Sequence, residues 1–446
     1  MTATRGRALV MGLGLFGGGA GAARYLVHKG WDVLVTDLRS EETLAAGVEQ
    51  LEGMTLNMRL GCHEEADFRE ADLVVANPAV RPDNRFLQIA RESGARITSE
   101  LELFLESVPS RLVLITGTAG KSSSASFLVT LLEASGQQAH LGGNIGRSLL
   151  GALATLGPED IVCLEVSSYQ LEALELKSHP RVELVAITNV SGDHLERHGS
   201  LGEYARAKGR ILGLGAEDAT AVLPRDLRTQ AAFATTLRTL DHPGSGSDGA
   251  QLELPRGPIS MEHLPLLPDF QRANVRLAML LGSCLGLTRE QLEEGLAHLK
   301  PPPHRAEELG HFGGIRVVDN GISTTPEATL VVLEGEPECV TLLLGGEPKQ
   351  GLAFDPLIEA CARRGDRLLL YGKAAESIHA LCSKNGIEAH RADSFQLAVY
   401  GALEKTPAGG TLLFSPGCAS FDTHKNFKDR ALAFRRLLPP ADSSGI

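Results

Sequence analysis

Aromatic side chains are scarce in this chain: 4% of its 446 residues, with one tryptophan and five tyrosines. So few flat side chains leave no stacking platform for single-stranded bases. Basic charge is short as well. Forty-three lysines and arginines face 55 aspartates and glutamates, a formal net charge of −12. That balance excludes the broad cationic surface that a nucleic-acid partner requires. No apolar run approaches the roughly 20 residues needed to cross a bilayer, so membrane insertion is not expected. The seven cysteines (Cys62, Cys163, Cys284, Cys339, Cys361, Cys382, Cys418) are scattered, odd in number and free of any C-x-x-C pair. A disulfide framework is thereby excluded, and reduced thiols in a cytoplasmic protein are expected. Arg5 and Arg7 precede an apolar, glycine-rich run that resembles a signal peptide. Gly12, Gly14, Gly17, Gly18 and Gly19 would weaken the helix such a peptide needs, and the pattern runs on into a strand–helix–strand unit. There is no internal repeat and no G-x-S-x-G elbow for a nucleophilic serine.

What the chain does have is concentrated in Ile115–Ser124, ITGTAGKSSS. An apolar run (Leu112 to Ile115) empties into a loop containing Gly117, Thr118, Ala119 and Gly120. Lys121, Ser122 and Ser123 then open a helical pattern carried by Phe127, Leu128, Leu131 and Leu132. Strand, glycine-rich loop, Lys-Ser and helix make a phosphate cradle. Loop and first-turn N–H groups face the anion, the lysine reaches the outer phosphates, and the serine hydroxyl can ligate Mg2+. Ile115 stands where the longer Walker pattern has a glycine, so the match is to the short form G-T-x-G-K-[ST].

The length predicts two to four domains of roughly 100–200 residues. Three α/β blocks are visible, at 1–106, 107–303 and 304–446. In the first, a strand at Ala8–Gly12 leads through glycines into a helix over Gly18–His28, and strands follow at Asp32–Thr36 and Leu73–Ala76. In the second, Ile161–Val166 and Leu184–Val190 are nearly all apolar, which predicts a parallel sheet covered by helices on both faces. Asp241–Pro258, rich in Gly, Ser and Pro, reads as a loop. Pro301-Pro302-Pro303 marks a boundary. Beyond it, strands at Val340–Leu344, Arg367–Tyr371 and Thr411–Phe414 alternate with helical patterns, as in a small doubly wound domain. The expected architecture is α/β, with Rossmann-like terminal domains around a central domain of the P-loop ATPase kind.

Gly12, Gly14 and Gly17 fit G-x-G-x-x-G, and Asp37 closes the next strand. Alone, this is a dinucleotide fingerprint and supports an oxidoreductase. It equally admits another phosphorylated ligand, because it shows only that a helix N-terminus can meet a phosphate. Glu165 sits inside an apolar strand, where a carboxylate is costly unless it is paired or bound to metal. The following strand ends near Asn189, ahead of Asp193 and His194. Glu165, His194 and Ser122 can gather around Mg2+ if the sheet is parallel. Lys208, by helical spacing, reads as an ordinary solvated lysine.

The motifs GTAGKS, LEVSSYQLE (164–172), NVSGDHLERHGS (189–200), YARAKGRI (204–211), PPPHRAEE (301–308) and SPGCASFDTHKNF (415–427) occur in this order. Together they resemble the Mur ligase family, and most closely its glutamate-adding branch, over nearly the whole chain. The resemblance implies a cytoplasmic, monomeric ligase that uses ATP and Mg2+ to join glutamate to UDP-N-acetylmuramoyl-L-alanine. It implies that Gly14, Leu15, Phe16, Asp37, Arg39, Asn77, Asn144 and His194 hold the sugar nucleotide. It assigns Gly117 to Ser123 with Asn274, Arg305 and Asp319 to ATP, and Ser323, Lys349, Ser420, Phe421 and Phe427 to glutamate. Lys121, Glu165, His194 and Lys208 become the catalytic set, with Ser122, Glu165, His194 and a carbamylated Lys208 on the metal. Phe270-Gln271 and Asn320-Gly321 depart from the family pattern, which has His-Asn at the first pair and Ser-Lys at the second. A relative adding L-glutamate, another Mur ligase, or a nucleotide-binding protein without catalysis uses the same motifs.

Overall fold

Runs of leucine, valine and isoleucine with both faces buried build the centres of three sheets. The computed structural model describes residues 5–442, except 16, 144–147, 176–177, 243–250, 262–263, 265–266, 268, 338 and 350. The chain divides into two compact units: Met1–Pro265 with Ala273–Leu299, and Leu266–Arg272 with Lys300–Ile446.

The first unit carries two sheets. Strands β1 (Arg7–Met11), β2 (Asp32–Asp37), β3 (Asn57–Leu60), β4 (Leu73–Ala76) and β5 (Arg96–Thr98) pair in the order β3-β2-β1-β4-β5, all parallel. β6 (Arg111–Thr116), β7 (Ala139–Gly143), β8 (Ile161–Glu165), β9 (Val182–Ile187), β10 (Thr220–Leu223) and β11 (Arg238–Asp241) form a second parallel sheet, ordered β11-β10-β9-β6-β8-β7. One continuous core serves both sheets. Leu13, Ala20 and Leu26 from the N-terminal segment pack in the same cluster as Leu103, Leu105, Leu112 and Leu150.

Two expectations need correction here. Asp241–Pro258 is not all loop, because β12 (Gln251–Leu252) and β13 (Ile259–Ser260) form a small antiparallel pair at its far end and Asp241 closes β11. The run Leu184–Val190 leaves the ladder after Ile187, because Thr188 and Asn189 turn to hold the phosphate loop instead.

The second unit holds β14 (Glu307–Phe312), β15 (Ile315–Asp319), β16 (Thr341–Gly345), β17 (Arg367–Tyr371), β18 (Ala389–Arg391) and β19 (Thr411–Phe414) in the order β14-β15-β19-β16-β17-β18. The expected parallel arrangement holds from β15 to β18, but β14 pairs antiparallel with β15 as a hairpin closed by Gly313-Gly314. Cores line both faces of this sheet, with Leu342, Leu344 and Leu368 in one and Leu343, Leu369 and Phe414 in the other.

Candidate functional site

β6 lies between β9 and β8 in a parallel sheet, so the loops that follow all three strands leave from one edge. The phosphate loop follows β6 and feeds the helix Lys121–Ala134. Two of its glycines are dictated by contact. A Cβ on Gly117, at φ 148°, would stand 1.8 Å from Thr188 Oγ1, and one on Gly120, at φ 85°, would stand 2.3 Å from Asn274 Oδ1.

The exit of β9 clamps the loop. Thr118 N–H donates to Asn189 O at 2.9 Å, Ala119 N–H to Asn189 Oδ1 at 3.0 Å, and Asn189 Nδ2 returns a bond to Ala119 O at 3.0 Å. Thr118 and Ala119 have therefore spent their own N–H groups. Lys121, Ser122 and Ser123 form the first turn of the helix, and the helix dipole favours an anion beside it.

Lys121 Nζ donates to the carbonyls of Gly117 (2.9 Å) and Thr118 (3.0 Å). Ser122 Oγ donates to Glu165 Oε2, so the buried carboxylate at the end of β8 meets a hydroxyl in the first turn of the helix. A hydroxyl and a carboxylate held together suit a hard cation such as Mg2+. His194 opens the short helix Leu195–His198 from a left-handed conformation, φ 53°. Its Nδ1 lies 3.1 Å from Tyr169 Oη, and its Nε2 lies 3.4 Å from Asp193 Oδ2. Among the described residues, Glu165, Asp193 and His194 do not converge on one point; the set that does is His304, Glu307 and Asp319, in the other unit.

Lys208 overturns the reading from spacing. It is 1% exposed, donates from Nζ to Gly117 O at 2.7 Å, and lies 4.4 Å from the centre of the Tyr204 ring. Its helix, Leu201–Gly209, turns this face under the phosphate loop. Burial, reinforced by the charge of Lys121, pulls its pKa down to about 6, against the opposing pull of Asp193 and Glu165. The amine is thus neutral near pH 7. Burial also pushes the hydroxyls of Tyr169 and Tyr204 up to about 12.

The N-terminal residues gather around the ends of β1, β2 and β4. Asp37 accepts the N–H of Gly14 at 3.2 Å and of Arg39 at 2.9 Å, so its carboxylate braces the glycine loop. A Cβ on Gly12 would meet Asn77 Cβ at 2.8 Å, so the asparagine packs directly on the loop, beside the exposed Leu15. Phe16 and Asn144 lie outside the described residues. Asn274 touches the phosphate loop through Gly120 and accepts from Ser124 Oγ at 3.4 Å.

In the second unit, Arg305 and Asp319 are brought together through His304, whose Nδ1 lies 2.7 Å from Asp319 Oδ2. Gln271 Nε2 donates to Arg305 O at 3.4 Å. The proposed glutamate residues share a neighbourhood. Lys349 Nζ donates to Thr324 Oγ1 at 3.2 Å, beside the buried Ser323, while Phe421 is exposed next to the buried Ser420, and Phe427 begins the helix Phe427–Leu437. The residue that joins them was missed in the sequence. Arg430, fully buried, donates to Cys418 O (3.0 Å), Ala419 O (3.1 Å), Gly321 O (3.4 Å) and Ser323 O (3.3 Å), tying both loops. Its only signal is its place three residues after Phe427. Tyr169, Asn189, Asp193 and Tyr204 carry no role in the sequence reading, although all four lie inside the quoted motifs.

The family model described as the Mur ligase middle domain matches residues 115–243, and that described as the Mur ligase MurD-like N-terminal domain matches residues 6–99. A UDP-N-acetylmuramoylalanine--D-glutamate ligase of Roseiflexus sp. (strain RS-1) is 33% identical, over 97% of this chain and 98% of its own. The enzyme of that name from Trichlorobacter lovleyi is 32% identical, over 95% of this chain and 96% of its own. Among solved structures, UDP-N-acetylmuramate-alanine ligase MurC from Thermotoga maritima superposes with a TM-score of 0.62 at 17% identity, covering 97% of this chain and 99% of that one, a likeness of fold.

Proposed function

Since the chain belongs to the Mur ligase family, we propose that it is the ATP-dependent ligase that adds D-glutamate to UDP-N-acetylmuramoyl-L-alanine in peptidoglycan precursor synthesis. The observation that carries the reading is Lys208, buried under a phosphate loop whose serine meets Glu165. A dehydrogenase built on Gly12–Gly17 has no use for that arrangement.

The reaction joins two steps. An oxygen of the alanyl carboxylate attacks the γ-phosphorus, the bond to the β-phosphate bridging oxygen breaks, and ADP leaves. The glutamate amine then attacks the acyl carbon, the carbon–oxygen bond to phosphate breaks, and the amine gives up a proton. The first step brings an anion to an anion, so charge neutralisation is the main task. Lys121 and the first-turn N–H groups of Lys121, Ser122 and Ser123 supply it, with Arg305 as a further phosphate contact and Asn274 beside the loop. Bound Mg2+, held by Ser122 and Glu165 and near His194 and Lys208, would withdraw charge from the phosphate oxygens. The neutral Lys208 amine can add to carbon dioxide, forming an N–C bond and releasing a proton, which makes a carboxylate-like ligand of it.

Gly14, Leu15, Phe16, Asp37, Arg39, Asn77 and Asn144, together with His194, hold the sugar nucleotide. Ser323, Lys349, Ser420, Phe421 and Phe427 receive glutamate. No helix among the described residues is long and apolar enough to cross a membrane. One chain supplies every proposed contact, and we place the enzyme in the cytoplasm as a monomer.

The test is phosphate release from ATP with Mg2+ and UDP-N-acetylmuramoyl-L-alanine, with D- or L-glutamate in parallel. Release with D-glutamate alone is expected. Release only with L-glutamate would change the substrate and keep the chemistry; no release with either would sink the reading.

A further inference from the structure

Arg305 stands between two residues in a conformation that side chains avoid: φ is 63° at His304 and 52° at Ala306. Neither is glycine, and a backbone held this way persists only where its surroundings over-determine it. The surroundings are specific. His304 N–H donates to Glu307 Oε2 at 2.8 Å, and His304 Nδ1 lies 2.7 Å from Asp319 Oδ2. Ala306 N–H donates to Asn320 Oδ1 at 3.3 Å, and Ile322 N–H donates to His304 O at 3.3 Å.

Every one of these supports except Asn320 and Ile322 converges on a single cation from another element. Arg435, on the helix Phe427–Leu437, donates from Nε to Asp319 Oδ2 at 2.8 Å and from Nη2 to Glu307 Oε2, and Nη2 lies 3.1 Å from His304 Nδ1. His304, Glu307 and Asp319 offer atoms within 4.8 Å of one another, a spacing that would suit a metal ion, but the guanidinium already supplies the positive charge. Asp319 is fully buried and both its oxygens are engaged, Oδ1 by Gly321 N–H at 2.8 Å. Two carboxylates this close repel each other unless a cation sits between them.

Position 321 cannot supply that cation. A Cβ on Gly321 would lie 2.7 Å from Ala431 Cβ and 2.9 Å from Phe414 Cε1, because the C-terminal helix packs directly on it. Arg435 follows Ala431 by four residues and so shares its face of the helix. The contact that closes position 321 to a side chain thereby delivers a charge to the same place.

We propose that Arg435 is a positioning residue for Arg305: its fork holds Asp319, Glu307 and His304 in place and so sets the strained turn from which Arg305 projects. The proposal rests on the reading of Arg305 as a nucleotide-phosphate contact. The test is a double-mutant cycle with ATP, UDP-N-acetylmuramoyl-L-alanine and D-glutamate, on wild type, Arg305→Ala, Arg435→Ala, Arg435→Lys and the double alanine variant. Arg435→Ala is expected to lower kcat/KM for ATP roughly 10- to 100-fold, the cost of a misplaced contact. KM for the sugar nucleotide should stay put, and Arg435→Lys should recover part of the loss. The double variant should fall no lower than Arg305→Ala alone.

Losses that multiply in the double variant, a parallel rise in KM for the sugar nucleotide, or wild-type kinetics in Arg435→Ala would each overturn the proposal. Should Arg435→Ala fail to fold, Glu307→Gln removes one anchor and leaves the guanidinium, and the same cycle with Arg305→Ala is decided by the same additivity. Should the wild type turn nothing over, the functional reading has failed. The cycle is then measured as ATP affinity by calorimetry, where additivity again overturns the proposal and its absence sustains it.

Discussion

Lys208 makes the stability of this protein rise with pH, as paired carboxylates do in acid, but in a window that runs from near neutrality into alkali. The side chain is 1% exposed, and burial together with Lys121 holds its pKa at about 6 rather than the usual 10.5. The folded state therefore binds fewer protons than the unfolded chain from about pH 6 to about pH 10.5, and stability rises with pH through that window. Each pH unit contributes about 1.4 kcal/mol, roughly 6 kcal/mol over the whole span. Below about pH 6 both states carry the proton and the slope vanishes.

Lys208→Met removes the titration and one hydrogen bond to Gly117 O, a loss of about 1 kcal/mol. The variant should then be more stable than wild type near neutrality, by roughly 4 kcal/mol, and should lose that advantage near pH 10. Urea unfolding of both proteins between about pH 6.5 and about pH 9.5, with chelator and without carbon dioxide, reads the difference directly. Neither carbamate nor metal then complicates the comparison. Parallel stability curves for the two proteins would refute the argument, because they would mean that Lys208 keeps its proton in the folded state.

Three further outcomes are expected. The same neutral amine should give a carbamate resonance in 13C-bicarbonate that is absent from Lys208→Arg; its absence from the wild type would count against the metal-ligand role. Gly117→Ala places a Cβ 1.8 Å from Thr188 Oγ1 at φ 148°, so it should cost about 2–4 kcal/mol of stability and abolish ATP binding. A variant with wild-type melting and nucleotide affinity would show that the loop is not built as described. Cys62 and Cys339 are exposed while Cys163, Cys361, Cys382 and Cys418 are buried, and burial raises the pKa of all four buried thiols. Native protein should react quickly with a thiol reagent at Cys62 and Cys339, and denatured protein at every cysteine; rapid labelling of Cys163 or Cys361 in the native state would contradict the core described here.

Strands buried on both faces announce themselves as apolar runs, which is why Leu73–Ala76, Arg367–Tyr371 and Thr411–Phe414 were legible to the residue. Edge strands carry no such signal. Asn57–Leu60 is half exposed and mixed in character, and Glu307–Phe312 opens on two glutamates and mixes polar and apolar residues without a regular period. Both were invisible before the sheets were assembled. The phosphate loop was legible because its chemistry is local: glycines for close approach, a lysine and a serine at a helix start.

Local chemistry of that kind is what the amino-acid order determines by itself: the parallel α/β class, the phosphate cradle, the buried carboxylate that needs a partner. The tertiary structure decided what depends on a neighbour remote in the chain. Lys208 looks solvated on its own helix and is buried because the loop after β6 lies over it, 91 residues away. Arg430 and Arg435 look like the polar face of a terminal helix, and they become the braces of two loops because that helix packs on Gly321. Helical spacing tells which residues share a face; only packing tells what that face meets.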